Sequence, residues 1–106
     1  MVSPSRVTAE PVIDGPLPTA LGYQQIDSTT LSTAQALTVP TRCSMALLQA
    51  EGGNIRWRPD GVDPTGTVGM LIKDGNEVMY AASESALMQL KFIRAAVGAI
   101  LNVAYY

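Results

Sequence analysis

The chain has 106 residues, of which 47% are hydrophobic and 15% charged, with a formal net charge of −2; this length suits one domain with one hydrophobic core. Seven basic and nine acidic side chains provide no positive surface of the kind that phosphate backbones require, which disfavours direct binding of nucleic acid. Histidine is absent, which excludes Ser-His-Asp and Cys-His catalytic sites and metal sites built on imidazole.

The first predicted element is an extended arm, residues 1–18. Four of the seven prolines lie in it, at Pro4, Pro11, Pro16 and Pro18. Proline at this density excludes a helix or a central strand. The arm also carries more large apolar side chains than a solvated linker normally does, at Val7, Val12, Ile13 and Leu17. We expect these residues to contact a neighbouring subunit; a disordered N-terminus is the alternative.

Residues 19–106 predict an all-β domain, a jelly-roll-like antiparallel β-sandwich of about eight short strands. Short apolar segments alternate with turn residues at the spacing typical of sandwiches and barrels. The predicted strands are residues 20–26, 35–39, 43–50, 54–58, 67–72, 77–81, 88–93 and 100–105. Between them, Gly52-Gly53 and Asp74-Gly75-Asn76 predict two tight hairpins, and residues 59–65 predict a rigid, exposed loop.

The alternation of side chains within strands predicts which residues form the core. Ile55 and Trp57 share one face of their strand, which makes Trp57 a core anchor. In the last strand, the bulky apolar side chains of alternate residues share one face in the same way. Cys43 is the single cysteine and lies in an apolar run, so we expect a small buried hydrophobic residue and no internal disulfide.

Residues 85–99 fit two assignments. Ser85 could cap a helix that begins at Ala86. Met88, Leu90 and Phe92 nevertheless alternate with polar residues, and the neighbouring segments are predicted strands, so we expect a strand here.

Four charged residues form the second candidate site for a partner. Arg56 and Arg58 share the face opposite Trp57 and could hold carboxylates of a partner. The alternative is that they pair inside the domain with Glu51 or Asp60, or are solvated. Asp60 and Asp63 lie in the following loop, where acidic residues usually form turns, so no metal is expected.

The sequence predicts no cofactor and no membrane segment. The glycines match neither a dinucleotide-binding motif nor a P-loop. No apolar run approaches the length of a membrane span, and the N-terminus does not follow the pattern of a signal peptide. We therefore expect a soluble protein made in the cytoplasm.

The chain resembles small virion proteins of tailed bacteriophages over residues 34–106. The segments that carry the resemblance are residues 37–40, 45–51, 54–61, 63–65, 68–70, 90–93 and 101–106. The most distinctive is Arg56-Trp57-Arg58 followed by Asp60-Gly61, Pro64-Thr65 and a later Val68-Gly69-Met70.

The resemblance implies a non-enzymatic structural part of the particle. We expect a capsid decoration protein on the outer surface of the phage head, a dimer or trimer that binds the major capsid protein and neighbouring copies of itself through the arm. A head-to-tail or tail component is the nearest alternative. A glycan- or receptor-binding sandwich is a second one, and a cupin-like enzyme is disfavoured because histidine is absent.

Overall fold

The computed structural model describes residues 18–106 of the chain. It contains a 3-10 turn at Thr30–Ser32, a short helix α1 at Glu84–Met88, and eight strands. The strands are β1 (Gly22–Ile26), β2 (Gln35–Ala36), β3 (Met45–Glu51), β4 (Ile55–Arg58), β5 (Met70–Ile72), β6 (Glu77–Ala81), β7 (Lys91–Arg94) and β8 (Ile100–Tyr105). Neither helical segment within these residues is long and apolar enough to cross a membrane.

The strands form two four-stranded antiparallel sheets, which confirms the predicted β-sandwich. Sheet A has the order β1-β8-β3-β6, and sheet B has the order β2-β7-β4-β5. Strand β1 pairs with β8, β2 with β7, β3 with β6 and β4 with β5. This nested pairing is that of a long hairpin rolled into two sheets, which is the topology of a jelly roll.

The two predicted hairpins are wrong. Gly52-Gly53 follows β3 in sheet A and leads to β4 in sheet B, and Asp74-Gly75-Asn76 leads from sheet B back to sheet A. The two corners lie together, because the Gly52 amide donates to the Asp74 carboxylate at 2.9 Å and the Gly75 amide to the Ala50 carbonyl at 2.9 Å. A glycine turn reverses the chain locally, but long-range pairing decides which sheet the next strand joins.

The predicted strand at residues 67–72 is shorter than expected, since β5 begins at Met70. The residues before it form a turn in which the Thr65 amide donates to the Val68 carbonyl at 2.9 Å. The Thr65 hydroxyl also accepts from the Val68 amide at 3.0 Å. These bonds occupy backbone groups that a longer strand would have needed for pairing.

Both assignments of residues 85–99 are partly right. Helix α1 occupies Glu84–Met88, and Ser83 rather than Ser85 caps it by accepting from the Ala86 amide at 3.2 Å. Strand β7 then begins at Lys91, three residues later than predicted. The local helix preference and the strand alternation are both satisfied, because each governs only part of the segment.

The core lies between the sheets, and Trp57 anchors it as predicted. Trp57 of sheet B is 5% exposed. Its ring stacks on Phe92 with centroids 6.2 Å apart and meets Tyr80 of sheet A edge-on at 5.5 Å. Alternate residues of β8 complete the packing, and Cys43 is buried as predicted, at 2% exposure. The contact between Trp57 and Tyr80 therefore joins the two sheets directly.

Candidate interaction surfaces

The outer face of sheet A carries an apolar row that crosses all four strands. The strand register places Tyr23 of β1 opposite Ala104 of β8. Leu47 of β3 lies between Ala104 and Met79 of β6. Tyr23 is 66% exposed, and the other three side chains are half-buried. These four residues, here called the apolar row, point away from the core because they alternate with buried neighbours.

A polar row lies beside the apolar row, one pair of residues further along the strands. Its members are Gln25, Asn102, Gln49 and Glu77, each opposite the next in the register. Asn102 is the centre of a hydrogen-bond network. Its Oδ1 accepts from the Tyr23 hydroxyl at 2.7 Å and from Gln25 Nε2 at 2.9 Å. Its Nδ2 donates to Gln49 Oε1 at 3.2 Å and to Glu51 Oε1 at 2.9 Å.

The network orders this face before anything binds to it. All the hydrogen-bonding capacity of the Asn102 amide is used by four partners, so its rotamer is held from both sides. Between the two rows lies a shallow depression of about 170 Å³ bounded by Tyr23, Leu47 and Glu77. Within residues 18–106, the Glu77 carboxylate has no hydrogen-bond partner. The face therefore combines the apolar row, a fixed amide network and the exposed carboxylate of Glu77.

On sheet B, three of the four predicted charged site residues form ion pairs. Arg58 binds Asp60 through two hydrogen bonds, Nε to Oδ1 at 3.0 Å and a second guanidinium nitrogen to Oδ2 at 2.6 Å. Lys91, which lies opposite Arg58 in the register, approaches Asp63 at 3.4 Å. The hydrogen bonds from Arg58 lower the pKa of Asp60, and Asp60 raises the pKa of Arg58. A partner carboxylate would have to compete with Asp60 for Arg58.

The predicted alternative of internal pairing is thus what the structure shows for Arg58. Arg56 behaves differently, because its guanidinium donates to the Gly69 carbonyl at 3.0 Å and its Nε is buried without a partner within the described residues. The structure therefore does not group Arg56 with Arg58 as one carboxylate clamp. Partner binding by Arg56, Arg58, Asp60 and Asp63 stays a prediction.

The other four predicted contact residues belong to the arm. Val7, Val12, Ile13 and Leu17 lie outside the described residues, and of the predicted arm only Pro18 falls within them, exposed and without regular structure. The described residues continue from Pro18 into β1, the edge strand that carries Tyr23.

The Tyr105 hydroxyl and the Asp27 carboxylate make hydrogen bonds within the domain. The Tyr105 hydroxyl is buried and donates to Gln24 Oε1, which also accepts from the Thr38 amide at 3.0 Å. Burial, with a smaller electrostatic contribution from Cys43, raises the pKa of Tyr105 to about 12. The Thr30 backbone amide donates to Asp27 at 2.8 Å and lowers the pKa of Asp27.

No group of three or more potential metal ligands occurs in residues 18–106. Comparison of the chain with protein-family models, with curated proteins and with solved structures finds no match in any of the three. The resemblance to phage virion proteins therefore depends on the sequence motifs alone.

Sequence reasoning missed the outer face of sheet A and the partner of Asp63. The alternation of Leu47 with Gln49 and of Asn102 with Ala104 was visible in the sequence. It could not show that these residues lie side by side, because the paired residues of β3 and β8 are at least 49 positions apart in the chain. Lys91 was likewise invisible as a partner, since it pairs with a loop 28 residues earlier.

Proposed function

We propose that this chain is a non-enzymatic structural protein of a phage particle, a capsid decoration protein that stabilises the head by bridging neighbouring capsid subunits. The observation that carries the proposal is the outer face of sheet A, where an apolar row runs beside an ordered amide network. The apolar row crosses all four strands of the sheet. A surface of this kind is typical of a broad contact with another protein, whereas small ligands usually bind in enclosed pockets.

The remaining support comes from the sequence and from the fold. The resemblance of residues 34–106 to virion proteins agrees with a jelly roll, a topology common among capsid domains. Pro18 lies shortly before β1, an edge strand of the same sheet, so an arm that precedes it in the chain and the apolar row could both contact adjacent subunits. Each contact can be weak, because many identical copies on a closed lattice act together.

The test is incorporation of purified protein into phage heads that lack it. Deletion of residues 1–18 is expected to leave the far-ultraviolet circular dichroism unchanged while abolishing incorporation. Leu47→Lys is expected to reduce incorporation because it places a charge in the middle of the apolar row. The matched control is Val97→Lys in the β7–β8 loop, where the side chain is already 83% exposed.

The number of copies per particle, measured by mass spectrometry of purified virions, decides between a shell and a neck location. Hundreds of copies support decoration of the shell, whereas six or twelve would point to a head-to-tail component. Heads that incorporate the arm deletion and Leu47→Lys as well as the unaltered protein would remove the proposal.

A second candidate function is glycan binding at the depression beside Tyr23. An exposed aromatic ring next to a carboxylate and fixed amides offers both stacking and hydrogen bonding. A glycan array tests it, with Tyr23→Ala as the control variant. Binding that survives Tyr23→Ala, or an array without binding, would remove this candidate.

A further inference from the structure

Of the four edge strands that the structure describes in residues 18–106, β6 is the one with the least protection. Strands β2 and β5 have only two and three residues, which limits pairing with another chain. At the β1 edge, the Thr38 amide donates to the side-chain Oε1 of Gln24 at 3.0 Å, which keeps Thr38 close to that edge. Strand β6 has five residues in unbroken register with β3, without a bulge. It contains no proline, lysine or glycine of the kind that usually blocks an edge.

The hydrogen-bond phase of β6 shows which backbone groups are available. The Ala50 amide donates to Asn76 at 3.1 Å, and the Ala82 amide donates to Ser44 at 3.0 Å. The backbone N–H and C=O groups of the even-numbered residues therefore point toward β3. Those of Glu77, Met79 and Ala81 point away from it, because the two directions alternate along a strand. Within residues 18–106, no strand pairs with this side of β6.

We propose that two copies of this chain pair through β6, antiparallel, about a two-fold axis that passes beside Met79. In this register Met79 lies opposite the partner's Met79, and Glu77 lies opposite the partner's Ala81. Every outward backbone group of the strand then finds a partner, which gives three hydrogen-bonded pairs. A self-pairing edge of this kind is an isologous contact, the usual form in symmetric dimers.

The side chains favour the same register. On the inner side, Val78 lies opposite the partner's Tyr80, a pairing of a β-branched with an aromatic residue that stabilises antiparallel strands. On the outer side, the carboxylate of Glu77 is separated from that of the partner subunit. A register that placed the two Glu77 residues opposite each other would oppose like charges and lose two of the three pairs.

A groove beside the edge provides a further contact surface of mixed polarity. It has a volume of about 740 Å³, and Leu71 and Ile72 of β5 and Val78 of β6 contribute to its wall. Leu71 is 39% exposed. The partner's β6, with its Tyr80 opposite Val78, would lie along the side of this groove.

Pairing through β6 also extends the apolar row. Met79 is the last member of the row, so the row of one copy would continue into the row of the partner across eight strands. The dimer would therefore present a docking face twice as wide as that of one copy. The β6 contact itself does not depend on the proposed virion function.

Cysteine cross-linking of the full-length protein tests the register. Residues opposite each other in a hydrogen-bonded antiparallel pair have Cα atoms about 5.5 Å apart, which is compatible with a disulfide. Oxidised Met79→Cys is expected to migrate as a dimer of twice the 11.2 kDa chain mass. The matched control is Leu47→Cys. Leu47 lies on the same face but on β3, so β6 of each copy would separate it from the Leu47 of the partner subunit. Cys43 is buried in the unaltered protein, so it is not expected to cross-link in either variant.

Sedimentation equilibrium tests the backbone pairing without a cross-link. Met79→Pro removes an outward amide and is expected to convert the dimer into a monomer. Gln25→Pro is the control, because it removes an outward amide from the β1 edge. Cross-linking through Leu47→Cys but not Met79→Cys would overturn the proposal in favour of stacked faces. A monomeric unaltered protein with no Met79→Cys cross-link would also overturn it, as would a dimer that needs residues 1–17 and survives Met79→Pro.

Discussion

Truncation of Trp57 is expected to produce the largest loss of stability among single changes in the core. The side chain is 5% exposed and contacts Phe92 within its own sheet and Tyr80 in the opposite sheet. Trp57→Ala removes these contacts and leaves a cavity, for which the usual cost is about 3 to 5 kcal/mol. This is a large part of the total free energy of unfolding of a small domain, about 5 to 15 kcal/mol.

The expected loss is measured by urea denaturation followed by far-ultraviolet circular dichroism. Fluorescence is unsuitable, because Trp57 is the single tryptophan and the variant has none. The melting temperature should fall by at least about 12 °C, since each kcal/mol corresponds to about 4 to 8 °C in a domain of this size.

Two variants control for the change at Trp57. Trp57→Phe keeps an aromatic ring between the sheets and should lose less stability than Trp57→Ala. Val97→Ala, at a side chain that is 83% exposed, should change stability by no more than about 0.5 kcal/mol. An unchanged urea midpoint for Trp57→Ala would refute the assignment of this residue to the contact between the sheets.

Three further predictions concern a corner, a buried phenol and a helix cap. Gly52→Ala should lower the free energy of unfolding in urea more than Gly75→Ala does. Both glycines have positive φ, so both substitutions strain the backbone. At Gly52 the added Cβ atom would also lie 2.7 Å from the Gly98 carbonyl oxygen, whereas at Gly75 it would meet no atom within 4 Å. Equal losses would contradict this. The pKa of Tyr105 is raised to about 12, so the folded state favours the neutral phenol. The resulting contribution to the free energy of unfolding is present below about pH 10. It should be lost between about pH 10 and 12, where Tyr105 ionises in the unfolded chain before it ionises in the folded one. Tyr105→Phe should flatten that part of the stability profile. Ser83→Ala should cost about 1 kcal/mol by removing the α1 cap, whereas Ser85→Ala should be near neutral if Ser83 is the cap.

Local patterns in the sequence predicted the fold class and much of the core. The alternation of Ile55 and Trp57 with two arginines identified the buried face of β4, and the last strand was predicted with its observed bounds, Ile100–Tyr105. These features depend only on residues close together in the chain, since the side-chain period of a strand is two residues. The assignment of Cys43 to the interior followed from similar local information.

Predictions from local patterns were wrong or incomplete where a segment pairs with residues far away in the chain. Gly52-Gly53 correctly marked a sharp turn but not the sheet that follows it, and β5 was predicted too long because the turn at Thr65 uses backbone groups before Met70. Arg58 pairs with Asp60 two residues away, a pairing that the sequence could suggest. Asp63 pairs with Lys91, and the sequence could not suggest this pairing because the two residues are far apart in the chain.

The sequence by itself determined that this chain forms a small all-β domain with alternating strands and buried aromatic residues, because strand periodicity and turn chemistry are local. Only the tertiary structure decided that the strands nest as a jelly roll, that the apolar row crosses four strands and that β6 lies at an edge. Those features depend on which distant segments share hydrogen bonds, and that choice is made by the packing of the whole core rather than by any one segment.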